Sequence, residues 1–162
     1  MNNDKSIQQT PKAILKSMKI IHPALLVGQI LFAGVIFSIK DKAVFLDIKN
    51  DKQDVVFYIV PLFAIACIII SIFIFKQKTD KIPYRNTLAE KLKSYQSALI
   101  TRFALLEGAS LFGIAYFSTT YNLFFLLVSA GIMLYFLTLR PNVDKTTDDL
   151  KLSYEEKIEL EA

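Results

Sequence analysis

The chain has 162 residues, 53% of them hydrophobic and 21% charged, with a mean hydropathy of +0.40; a water-soluble domain of this length is rarely so apolar. One cysteine and one histidine exclude an internal disulfide and a Cys/His zinc site within the monomer. The net charge of +4 and pI near 9.1 do not point to nucleic acid, because the nineteen basic residues are spread between apolar blocks instead of forming one patch with interleaved aromatics.

In chain order, the first element is "TPKAILKSMKII", with Thr10 placed as an N-cap and Pro11 at the first helical position. It runs into Pro23 to Ile39, "PALLVGQILFAGVIFSI", the first of four stretches near the roughly 20 helical residues needed to cross about 30 Å of hydrocarbon. Lysines ahead of an apolar run also mark a cleaved signal peptide. The long polar lead and an internal counterpart of this span argue that it is retained.

The second span, Val55 to Phe75, carries no charge, and its Cys67 reads as a small buried hydrophobe. A basic loop follows. Thr87 and Glu90 then form a capping box before "LAEKLKSYQSALI", in which Leu88, Leu92, Tyr95 and Leu99 share one face. This predicts an interfacial helix leading into the third span, Ala98 to Ser118, which contains Arg102 and Glu107. The turn "STTYN" connects to the fourth span, Tyr121 to Leu139, closed by Arg140 and Pro141. The remaining polar tail, 141–162, is expected to be solvated, with Ser153 and Glu156 capping a last short helix. Together these elements predict an all-α integral membrane four-helix bundle, a single membrane domain over 1–162.

Lys/Arg distribution sets the expected orientation. Lys5, Lys12, Lys16 and Lys19, then Lys76, Lys78, Lys81, Arg85, Lys91 and Lys93, then Arg140, Lys145, Lys151 and Lys157 fall on one side. The other side has Lys40, Lys42, Lys49 and Lys52, alternating with Asp41, Asp47, Asp51 and Asp54. Both termini are therefore expected to be cytoplasmic. Tyr58 and Tyr121 would lie at the outer interface, Tyr135 and Tyr95 at the inner one.

An offset of eighty residues aligns "ALLVGQILFAGVIFS" (24–38) with "ALLEGASLFGIAYFS" (104–118), and eight of fifteen positions are identical. "LKS" also recurs at 15–17 and 92–94. Two duplicated helical hairpins are thus expected, in the same orientation and related by a pseudo-twofold axis along the membrane normal. Both copies carry A-x-x-x-G, as Ala24/Gly28 and Ala104/Gly108. Small residues four apart let helices approach closely in lipid, so the first and third spans are expected to pack there.

Glu107 is the sole acidic residue inside any span, and an ionisable group in hydrocarbon costs roughly 3 kcal/mol or more. With the span starting at Ala98, Glu107 lies near mid-membrane and is a candidate proton or cation site. With the boundary at Arg102, which the duplication favours, it lies little more than one turn inside and within reach of water. Arg102 is about 140° around the helix and a poor partner, whereas Gln29 on the first span is a candidate polar neighbour.

No span carries paired aspartates or H-E-x-x-H, His22 beside Pro23 reads as an interfacial residue, and catalysis, cofactor and metal are not expected. The four-helix proteolipid subunits of rotary ATPases are Gly/Ala-rich, unlike this chain with five glycines, and small multidrug transporters place their glutamate in the first span. "RFALLEGASLF" with "LRPNVDKTTDDLKLSYEEKIELE", about a third of the chain, resembles small four-helix proteins of the bacterial inner membrane that have no assigned activity. The resemblance implies the architecture alone. The expected role is a non-catalytic accessory or assembly protein acting through helix contacts. Expected partners are the lipid bilayer, a second copy or another membrane protein, and not nucleic acid. The alternative is proton- or cation-linked transport using Glu107.

Overall fold

The computed structural model describes residues 10–39, 43–49 and 55–161. Lys5, Lys40, Lys42, Lys52, Asp41, Asp51 and Asp54, used above for orientation, lie outside the described residues.

Six helices are present among the described residues: α1 (Pro11–Ser38), α2 (Val56–Asp80), α3 (Leu88–Thr120), α4 (Leu123–Leu137), α5 (Val143–Leu150) and α6 (Tyr154–Glu161). The expected capping chemistry starts α1 and α3. Thr10 Oγ1 accepts from the Ala13 N–H at 3.4 Å, and Thr87 and Glu90 form the reciprocal capping box. Each basic lead is continuous with the span it precedes, so α1 and α3 have 28 and 33 residues, about 42 and 50 Å at 1.5 Å per residue.

Three helices, α1, α2 and α3, are long and apolar enough to cross a membrane. The fourth expected span is shorter than the sequence suggested. Tyr121 is left-handed, with φ of 61°, and ends α3, while α4 keeps 15 residues, about 22 Å against the roughly 30 Å of a bilayer core.

α3 is the axis of the bundle. α1 lies parallel to it with residues about eighty positions apart in contact: Gln96 Nε2 donates to Ser17 Oγ at 2.8 Å, and His22 meets Phe103 and Phe37 meets Phe117 ring to ring. α2 and α4 run antiparallel to α3, through Phe63 on Phe112 and Phe75 on Tyr95 for α2, and Tyr116 on Phe125 and Phe103 on Phe136 for α4. Of the five glycines Gly113 is the one another helix approaches closely, its missing Cβ making room for Ser129 Oγ and the Phe125 carbonyl. Ser129 Oγ donates to the Ser110 and Phe125 carbonyls at 2.9 and 3.1 Å.

The two ends of the bundle differ. At the end without tail helices, Asn122 caps α4 through its Oδ1, 3.1 Å from the Phe124 nitrogen, and exchanges two hydrogen bonds with the Asp47 backbone. The first loop is thereby fastened to the α3–α4 turn. At the basic end the tail folds back instead of standing in solvent. Leu150 of α5 and Leu160 of α6 are buried in one apolar cluster with Ile14, Leu15 and Met18 of α1 and Leu88, Leu92 and Tyr95 of α3. As expected, Ser153 and Glu156 cap α6 reciprocally at 2.9 and 3.2 Å.

Outward, the long helices present Ile20, Val27, Ile30, Leu31 and Val35 on α1 and Leu62, Ile65, Ile69 and Phe73 on α2, all exposed. A surface with so many exposed branched and aromatic side chains matches a lipid-facing bundle.

Candidate functional site

Glu107 sits at the edge of the packed face of α3. It is half-buried between buried Leu106 and exposed Gly108, and makes no hydrogen bond or ion pair with any described residue. Arg102 is turned away from it. Its Nη2 donates to Tyr135 Oη at 2.7 Å, and its guanidinium carbon lies 4.8 Å from the centre of the Phe75 ring. Gln29 is buried on α1, donating from Nε2 to the Leu25 carbonyl at 3.4 Å, while its Oε1 has no partner among the described residues. Gln29 and Glu107 therefore do not form the polar pair expected of them.

The expected packing through Ala24, Gly28, Ala104 and Gly108 is not made within the described chain. All four are exposed, and nothing lies within 4 Å of a Cβ built on either glycine. The reason is rotational. α1 buries Leu15, Met18, His22, Leu26 and Gln29, a stripe that leaves Ala24 and Gly28 on its other side, and α3 buries Leu99, Phe103, Leu106 and Ser110, which turns Ala104 and Gly108 outward. Gly113 against Ser129 makes the close approach instead.

His22 is enclosed within the bundle. It is 2% exposed, its Nε2 lies 2.9 Å from the Phe136 carbonyl oxygen, and its ring stacks on Phe136 with centroids 4.6 Å apart. A carbonyl accepts only, so Nε2 carries the proton of that bond.

What the structure does assemble is a polar lock at the basic end. Tyr95 Oη donates to Asp149 Oδ2 at 2.7 Å, and Lys91 Nζ donates to Glu156 Oε1 at 2.6 Å. Both join the start of α3 to the tail. The Lys91 side chain is 7% exposed and that of Glu156 22%. Burial pushes the Glu156 carboxyl upward, but the Lys91 ammonium and the Ser153 N–H outweigh it and hold the group below its ordinary value. Lys145 of α5 donates to the Thr138 carbonyl at 3.3 Å. Its ammonium is pulled below the usual lysine range, mainly by burial, with Asp149 opposing and Arg102 assisting. On the exposed side, Lys157 pairs with Asp144 at 2.9 Å and is raised by it.

These groups hold helices together and are not arranged as acid, base and nucleophile. Among the described residues no three His, Cys, Asp or Glu side chains are grouped to hold a metal ion. Nothing in the sequence singles out Lys91, Tyr95, Asp149 and Glu156 as a set. The available signals are the Ser153/Glu156 cap and the apolar Leu150 and Leu160 in an otherwise polar tail. Compared with family models, curated proteins and solved structures, the chain matches none.

Proposed function

We propose that the chain is a non-catalytic integral membrane protein that works through helix contacts, as an accessory or assembly factor in a bacterial cytoplasmic membrane. The observation that carries this reading is the pair of outward small-residue faces, one on α1 and one on α3. Ala24, Gly28, Ala104 and Gly108 repeat one small-residue pattern on two parallel helices, and the bundle uses none of the four for its own packing among the described residues. In lipid such positions admit a neighbouring helix at short distance. The neighbour is a second copy or another membrane protein.

In this reading α4 with its flanks, 121–139, is a fourth crossing, and the basic end with both termini faces the cytoplasm. The two hairpins are a duplication. Phe37 and Phe117, matched by the eighty-residue offset, stack ring on ring across the α1–α3 contact, which supports it. The resemblance to small four-helix bacterial membrane proteins supports the setting.

Photo-crosslinking in native membranes tests the contact role. A benzophenone amino acid at Gly28 or Gly108 is expected to give a discrete adduct, while the same probe at Ile69, exposed on α2, gives only lipid products. Equal adducts at all three positions, or none, would contradict it.

A second reading, proton- or cation-linked transport, rests on Glu107, which has no partner among the described residues. Carbodiimide labelling of Glu107 in membranes separates the two. Labelling that persists near pH 7 and is abolished in Glu107→Gln favours transport, and none above about pH 6 favours an ordinary ionised carboxylate near water.

A further inference from the structure

Lys12, Lys16 and Lys19 of α1 are spaced i, i+4 and i+7, so their side chains emerge along one side of the helix. Together with Leu15, Val143, Leu160 and Glu161 they line a cleft of about 320 Å³ between α1 and the tail. Lys16 and Lys19 are exposed, and the aliphatic floor of the cleft comes from three elements, with Leu15 and Leu160 buried. The rim carries the Lys16 and Lys19 ammonium groups, with Lys12 beside them, against the single carboxylate of Glu161.

Position restricts what can enter. Lys19 lies one turn before Pro23, where the uncharged part of α1 begins, and Val143 lies two residues after Pro141, where the apolar segment of α4 has ended. The cleft therefore opens at the level where two apolar segments leave the bilayer. Ligand sites span about 300 to 1,000 Å³, and this volume fits a headgroup with its glycerol, not a whole lipid. A phosphodiester meets lysines as point charges, and the first carbons of the acyl chains cover the aliphatic floor.

We propose that this cleft holds the phosphate headgroup of an anionic phospholipid of the surrounding bilayer. The lipid bridges α1 to Val143, Leu160 and Glu161, and so fastens the tail from the membrane side as Lys91 and Tyr95 fasten it from within. The proposal rests on the membrane placement above and is independent of any protein partner.

The test is native mass spectrometry of the full chain, taken from nanodiscs containing equal phosphatidylglycerol and phosphatidylcholine. Lys16→Gln/Lys19→Gln is compared with Lys81→Gln/Lys93→Gln, an equal charge loss at exposed positions outside the cleft. Wild type and the control variant are expected to retain one phosphatidylglycerol, and the cleft variant to retain at least tenfold less with unchanged helical circular dichroism. Equal loss in both variants would reduce the effect to general surface charge and overturn the proposal. Retention of phosphatidylcholine to the same degree, or of no lipid at all, would also overturn it. Displacement of the lipid by millimolar inorganic phosphate would overturn it too, assigning the cleft to a soluble anion instead.

Discussion

Replacing Glu156 by Gln removes the charge that faces Lys91 and leaves the rest of the lock in place. The amide oxygen of the introduced glutamine can still accept from the Ser153 N–H, so the α6 cap survives, but its NH2 group cannot accept from Lys91. Lys91 is then an ammonium only 7% exposed without a counter-ion. Breaking a fully buried pair in this way costs about 3 to 5 kcal/mol. The Glu156 side is 22% exposed, so water reaches the gap and the expected cost is lower, about 2 kcal/mol. That corresponds to roughly 30-fold in the opening equilibrium of the tail at 1.4 kcal/mol per tenfold. Lys91→Met is expected to cost less, about 1 kcal/mol, because the thioether fills the apolar part of the slot while the stranded Glu156 can hydrate. Amide hydrogen exchange across 143–161 in mild detergent reads this directly. Exchange within twofold of wild type in Glu156→Gln, or a larger effect from Lys91→Met, would refute the argument that the buried lysine sets the cost.

The same pair gives a pH dependence. The folded carboxyl of Glu156 titrates below its unfolded value of about 4.3, so its contribution is complete above that pH and lost as pH falls through the folded value; protection of the tail amides, relative to their intrinsic exchange rate at each pH, should fall only in that acid window, and a fall in protection near pH 7 would contradict it. Gly113→Ala places a methyl against Ser129 Oγ and the Phe125 carbonyl and is expected to destabilise by about 1 to 3 kcal/mol in thermal unfolding, partly recovered by Ser129→Ala, whereas Gly28→Ala and Gly108→Ala are expected to be neutral or mildly stabilising. Arg102→Lys loses the planar contact with Phe75 and the fixed bond to Tyr135, and a loss of about 1 to 2 kcal/mol in detergent unfolding is expected. Asn122→Ala removes the α4 cap and both bonds to the Asp47 backbone, so exchange at 43–49 should rise together with a loss of about 1 kcal/mol.

Local signals carry most of the architecture. Thr10, Thr87 with Glu90, and Ser153 with Glu156 each start a helix where their side chains can accept backbone N–H groups, and that chemistry is complete within four residues. Apolar length likewise marks α1, α2 and α3. Rotation of the helices is not legible in the same way. A uniformly apolar span has almost no moment, so nothing local says whether Gly28 or Gln29 faces α3, and the structure chooses Gln29. The end of α3 and the late start of α4 depend on Tyr121 adopting a left-handed conformation, a choice fixed by the bonds among Phe45, Tyr121 and Leu123 across the first loop. The folded-back tail escapes a local reading for a related reason. Leu150 and Leu160 are two apolar residues in a polar stretch, and only the complementary surface of α1 and α3 makes them core.

The central claim is that the small-residue faces of α1 and α3 are each occupied by a neighbouring helix in the membrane. The most direct measurement is the size of the complex extracted from native membranes in digitonin, for wild type and for Gly28→Leu/Gly108→Leu. Both glycines have open space around them, so leucine there leaves the fold of the chain intact. The account predicts a wild-type species larger than one chain with its detergent, reduced to that size in the double variant. A wild-type monomer, or a complex unchanged by both leucines, would contradict it.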